Sequence, residues 1–100
     1  MRLSPDQSRA IVKAARAVVG EQATVRLFGS RLGDNARGGD IDILIELARP
    51  VQRPGLLATQ VTASIQRALG DRKVDVLIVD PATELQPVHR AAQREGVLLS

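Results

Sequence analysis

Residues 40–46 read Asp-Ile-Asp-Ile-Leu-Ile-Glu. The alternation places Ile41, Ile43 and Ile45 on one face and Asp42, Leu44 and Glu46 on the other, the pattern of a strand with a buried side. Side chains two apart on a strand point the same way, with Cα atoms about 6.6 Å apart, so Asp40 and Asp42 face a common space. A third carboxylate, Asp75, lies within a later apolar run, Val74-Asp75-Val76-Leu77-Ile78-Val79. Carboxylates at the mouths of strands that should be buried are costly unless something binds them. Two full charges at that spacing repel by about 2.5 kcal/mol at an effective dielectric of ~20. A pair of Mg²⁺ ions removes this penalty, and magnesium favours a few carboxylates plus substrate phosphates over an all-protein cage. Asp40, Asp42 and Asp75 are therefore the candidate metal ligands and catalytic residues.

The stretch before Asp40 supplies a second half. An apolar run, Thr24 to Phe28, stops at Gly29-Ser30, and a polar loop with Gly33, Asp34, Asn35, Arg37, Gly38 and Gly39 follows. A glycine directly after a strand lets the backbone approach a ligand closely. With Ser30 opening a helical turn, free N–H groups and the hydroxyl can hold a phosphate. Arg31 adds a charged donor, so Gly29, Ser30 and Arg31 are the candidate nucleotide- and phosphate-binding residues. The layout is a phosphate cradle, a flexible link, a metal pair and a third carboxylate suited to a general base.

The rest of the chain supplies a frame. Ser4-Pro5-Asp6-Gln7 is a helix start, with serine at the N-cap, proline at N1 and glutamine three residues after the cap. Ala10, Ile11, Ala14, Ala15, Val18 and Val19 follow at helical spacing, up to Gly20. Ala48 to Gly55 is a surface connection. Leu56 to Leu69 predicts a helix with Leu57, Val61, Ile65 and Leu69 in register, capped by Gly70. Lys73 to Asp80 predicts a third strand, whose near-continuous apolar run suggests burial on both faces. Pro81 to about Arg94 predicts a last helix, with Leu85, Val88, Ala91 and Ala92 inward. Val97-Leu98-Leu99 suits a short closing strand. The order α-β-β-α-β-α, with this closing β, predicts an α+β fold: a small mixed sheet of three to four strands with helices packed mainly on one face. The 100 residues make a single domain.

Composition narrows the function. No cysteine is present, which excludes disulfides and thiolate metal sites, and no apolar run approaches the ~20 residues needed to span a bilayer. Met1-Arg-Leu-Ser-Pro-Asp lacks the apolar core of a signal peptide, so the expected location is cytoplasmic. The basic residues are twelve Arg and two Lys against eleven acids, spread along the chain. The single aromatic residue, Phe28, offers no base-stacking platform, so specific nucleic-acid binding is not expected.

Taken in order, Gly29-Ser30, nine residues, Asp40-Ile41-Asp42 and later Val74-Asp75-Val76 resemble the signature of the polymerase-β-type nucleotidyltransferase superfamily. The run Phe28-Gly-Ser-Arg-Leu-Gly-Asp-Asn-Ala-Arg37, the short length and the Glu95-Gly96-Val97-Leu98 ending resemble its minimal nucleotidyltransferases in particular. Glycine-serine alone carries nothing and Asp-x-Asp alone little; the three parts in order, each at a strand end, are specific. The spacer between Ser30 and Asp40 is nine residues where ten is common, and Gly39 stands where serine is frequent. The resemblance implies that Asp40 and Asp42 bind two Mg²⁺ ions and that Asp75 completes the site and activates the acceptor hydroxyl. It also implies that Gly29 and Ser30 hold the β- and γ-phosphates of a nucleotide triphosphate, ATP for preference. The reaction would be transfer of a nucleoside monophosphate with pyrophosphate leaving. Many such small proteins pair with a HEPN-type partner as the antitoxin of a toxin–antitoxin couple, and several attach adenylate to a tyrosine of the toxin.

Two other classes compete: a binding module that neutralises a toxin by contact alone, and an enzyme acting on a small-molecule hydroxyl. The intact carboxylate triad favours an enzyme, and the short chain argues against a built-in small-molecule acceptor domain. Asp34 and Arg37 suit loop solubility, and Glu46 a structural or partner-facing role. His89 suits the surface of a polar helix, and Asp80 the start of the last helix. Apolar positions on that helix leave room for a dimer or a toxin contact.

Overall fold

A computed structural model describes residues 3–28, 40–70 and 72–99, with the backbone alone at Asp40. Its elements are α1 (Pro5–Val19), β1 (Thr24–Phe28), β2 (Asp40–Glu46), α2 (Pro54–Leu69), β3 (Lys73–Val79), α3 (Pro87–Glu95) and β4 (Val97–Leu98). Helix α1 begins as its sequence predicts. The Gln7 N–H donates to Ser4 Oγ at 3.1 Å, and the Ser4 N–H donates to Gln7 Oε1 at 2.8 Å, satisfying two donors that the helix cannot.

The four strands form one mixed sheet in the order β3-β2-β1-β4. β1 runs antiparallel to β2, with Phe28 opposite Asp42, and antiparallel to β4. β2 runs parallel to β3, with α2 as the crossover. On one face, Ile11, Ala14 and Ala15 of α1 and Val61 and Ile65 of α2 pack on Val25, Leu27, Ile41, Ile43, Ile45, Val74 and Ile78. Burying each such isoleucine or valine contributes about 1.5–3 kcal/mol, so this face fixes the register of β2. The Ser64 hydroxyl ties the helix pair by donating to the Ala14 carbonyl at 2.9 Å. α3 covers part of the other face, where Ala92 packs with Leu44 and Val79 beside Phe28, Leu77 and Leu85. Two helices thus lie on one face and the shortest on the other.

Two expectations change. β3 is an outer strand, and only its C-terminal end is shielded on both faces: Lys73 and Asp75 are exposed on either side of buried Val74, whereas Ile78 and Val79 are both buried. The last helix starts at Pro87 and not at Pro81. The reason is Asp80, whose carboxylate accepts from the Val51 N–H at 2.7 Å, the Ala82 N–H at 2.9 Å and the Thr83 hydroxyl at 3.0 Å. These bonds close a turn and tie it to the β2–α2 connection, which diverts the chain before a helix can form. With the later start, Val88 is 50 % exposed where the sequence suggests an inward position.

Glycine is required where α3 meets β4. A Cβ at Gly96 would run into the Ala92 carbonyl oxygen and lie 3.3 Å from the Leu27 carbonyl oxygen. The chain leaves α3 so close to β1 that no side chain fits.

Candidate functional site

The parallel register of β2 and β3 sets Asp42 directly opposite Asp75 and Asp40 opposite Lys73. By the two-residue period these positions share the face opposite α1 and α2. Asp42 is half-buried and Asp75 exposed. Strand neighbours lie about 4.8 Å apart. Two unit charges at that distance repel by about 1 kcal/mol in water and about 3 kcal/mol at an effective dielectric of ~20. The exposure of Asp75 holds the cost toward the lower figure. Oxygen-only donors on adjacent strands at a solvent-facing sheet end suit a hard divalent cation such as Mg²⁺. Asp40 enters by backbone position alone, two residues before Asp42. Among the described side chains no group of three His, Cys, Asp or Glu could hold a metal ion. Gly29, Ser30 and Arg31, with Asp34 and Arg37 of the same loop, lie outside the described residues. They follow directly on Phe28, which stands opposite Asp42 on the side away from Asp75.

Below the aspartates the same face is closed. Leu44 and Leu77 are cross-strand partners in the next row, and Leu44 is fully buried. Farther down, Glu46 accepts from Arg26 Nε at 2.7 Å and from Gln93 Nε2 of α3 at 3.2 Å. Glu46 is thus a structural clasp between the sheet and α3. His89 is half-buried and caps α3, its Nδ1 accepting from the Gln86 N–H at 2.9 Å. Asp80 is buried, and the Val51 N–H, with Thr83 and Ala82, holds its carboxyl below the ordinary carboxylate range against the opposing effect of burial.

A groove of about 650 Å³ lies along the outer side of α1 and is lined by residues including Arg9, Val12, Lys13, Arg16 and Leu99. Two of its cations are engaged within the fold: Arg9 pairs with Asp6, and Arg16 donates to the Ala23 carbonyl at 3.1 Å. It lies on α1, which packs on the sheet face opposite the aspartates.

A model of the nucleotidyltransferase domain matches residues 8–99. The chain belongs to that family. As a nucleotidyltransferase domain it is similar in fold to a chain of the complex of tri-AMPylated Shewanella oneidensis HEPN toxin with MNT antitoxin. That match has a TM-score of 0.66 and 20 % identity, over 97 % of this chain and 72 % of the other. A toxin–antitoxin crystal structure with AMP-PNP matches at a TM-score of 0.67 and 23 % identity, over 98 % of this chain and 73 % of the other. No protein of curated function matches. Within the nucleotidyltransferase frame, one residue near the carboxylates escapes the sequence reading: Lys73. The period-two rule that links Asp40 to Asp42 also links Lys73 to Asp75, and would have found it.

Proposed function

We propose that this nucleotidyltransferase domain moves the AMP unit of ATP to a hydroxyl of a HEPN-type partner protein and so acts as the antitoxin of a pair. The observation that carries the reading is the direct pairing of Asp42 with Asp75 on one sheet face, two residues from Asp40. Asp40, Asp42 and Asp75 would hold Mg²⁺, which when bound offsets the charge of the phosphates and of the attacking and leaving oxygens. Gly29, Ser30 and Arg31 bind the β- and γ-phosphates. Asp75 accepts the proton of the acceptor hydroxyl as its oxygen bonds to the α-phosphorus. The bond from that phosphorus to the β-phosphate oxygen breaks, and pyrophosphate leaves. The likeness to complexes of a HEPN toxin and of AMP-PNP supports the choice of partner and nucleotide.

The test incubates the full chain with α-labelled ATP, Mg²⁺ and a HEPN-type protein, sought first in the adjacent reading frames, beside the Asp40→Asn/Asp42→Asn variant. Label on the partner with wild type alone is the expected result. Neutralised toxicity with no label on any protein would replace the enzyme with a module that binds the toxin by contact.

A further inference from the structure

We propose that the groove between α1 and the outer edge of β4 is a docking site for an extended segment of another protein, rich in acidic and apolar side chains, which joins the sheet as an added strand. None of the aspartates of the transfer reading takes part in it.

The backbone of β4 supplies the first half. β4 ends the sheet, and it pairs antiparallel with β1 so that Val97 faces Leu27 and Leu98 faces Arg26. The ladder continues one step farther, where the Leu99 N–H donates to the Val25 carbonyl at 2.8 Å. Bonded and non-bonded pairs alternate along an antiparallel ladder. Leu98 is therefore the non-bonded member, and its N–H and C=O point away from β1. Among the described residues no strand stands against that edge. Such an edge is a template for a further chain, and a groove between an edge strand and a helix is where added strands dock.

Side chains supply the second half. Val97 and Leu98 are 52 % and 50 % exposed, although both are large and apolar. By the two-residue period Val97 and Leu99 share the face of Leu27, the one on which α1 packs. Leu99 lines the groove of about 650 Å³ together with Val12 and Ala17 of α1. An added strand would thus lay apolar side chains against Val97, Leu98 and Leu99.

Charge selects the occupant. The groove is lined by Arg9, Lys13 and Arg16 against one acid, Glu21. Lys13 has no ion-pair partner among the described residues. Arg16 donates to the neutral Ala23 carbonyl, which leaves its charge uncancelled. Arg9 pairs with Asp6 only at the exposed surface, where such pairs hold weakly. A second copy added edge to edge by a two-fold axis would bring the two basic rims together. An acidic segment meets them with opposite charge.

The experiment pans a displayed library of random short peptides on the full chain. A synthetic copy of the selected sequence is then titrated into wild type, Lys13→Glu and Leu98→Pro. Lys13 is exposed, and Leu98→Pro removes only an N–H that points outward, a change edge strands tolerate, so both variants should fold, as thermal melting verifies. Selected peptides should combine Asp or Glu with apolar residues, bind about tenfold or more weakly to each variant, and weaken with added salt. Amide exchange at Leu98 should slow when the peptide is bound. Enrichment of nothing, or of basic or uncharged sequences, overturns the proposal, as does wild-type affinity in either variant. Self-association of wild type that Leu98→Pro abolishes would give the edge to a second copy and overturn it as well.

Discussion

Asp42 and Asp75 are direct partners in the parallel ladder between β2 and β3, on the face that α1 and α2 leave uncovered. Only backbone pairing brings them together, across 33 residues of sequence and an entire helix. Removing either charge should therefore separate activity from stability. Asp42→Asn and Asp75→Asn are each expected to lower transfer by about 10²-fold or more, the scale of a positioned proton acceptor or charge-binding group. Metal-free melting of Asp75→Asn, at an exposed position, should stay level or rise, because a like-charge contact is relieved. A fall of both together, seen by calorimetry, would mark the pair as structural.

Ligand addition gives a test without turnover. Mg²⁺ with ATP at about 100 times its Kd should stabilise the fold by about 2.7 kcal/mol. In a domain of this size each ~1 kcal/mol moves the melting temperature by about 4–8 °C. The shift should vanish in Asp40→Asn/Asp42→Asn. A flat response of wild type across millimolar Mg²⁺ and ATP would remove the site.

Asp80 predicts an acid sensitivity of known sign. Its carboxyl is held below the ordinary range in the fold, chiefly by the Val51 N–H, and relaxes upward on unfolding. The stabilisation is therefore present above the unfolded value and fades as the pH falls through the folded one. Asp80→Asn should melt below wild type at pH 7, and the gap should narrow as the medium is acidified below the carboxylate range.

Gly96→Ala tests the contact between α3 and β1. The added methyl meets the Ala92 and Leu27 carbonyls, which are backbone and cannot swing aside. A loss of about 1–3 kcal/mol is expected in denaturant unfolding. The alanine substitution of Gly55, where an added Cβ meets nothing within 4 Å, serves as the control.

Glu46→Ala should release α3 from the sheet. It removes the acceptor for both Arg26 and Gln93 in a partly buried setting, and a loss of about 1–3 kcal/mol follows from leaving those donors without it. Amide exchange should rise in α3 ahead of α1.

The parts legible in the sequence are those decided locally. The Ser4-Pro5-x-Gln7 start of α1 needs only its own turn, and the faces of β2 need only the period of two. Family membership was legible too, since Gly29-Ser30, Asp40-x-Asp42 and Asp75 keep their order. The start of the last helix was not. Asp80-Pro81 reads equally as a helix cap and as a turn, and the choice is made by the Val51 N–H, 29 residues away in sequence. The outer position of β3 was hidden for a similar reason. Its apolar run reflects α1 and α2 on one face and α3 over its far end, whereas the exposed end carries Lys73 and Asp75.

The β2–α2–β3 unit contains all three aspartates. Their spacing is set by one crossover and seven paired positions, all of which come after the segment from Gly29 to Gly39 in the sequence. The five β1–β2 pairs hold the strands that flank this segment in a register of their own. A lineage can therefore lengthen or shorten the segment between β1 and β2 while the carboxylates are inherited as a block. A spacer of nine residues in place of ten is a change such an architecture can absorb.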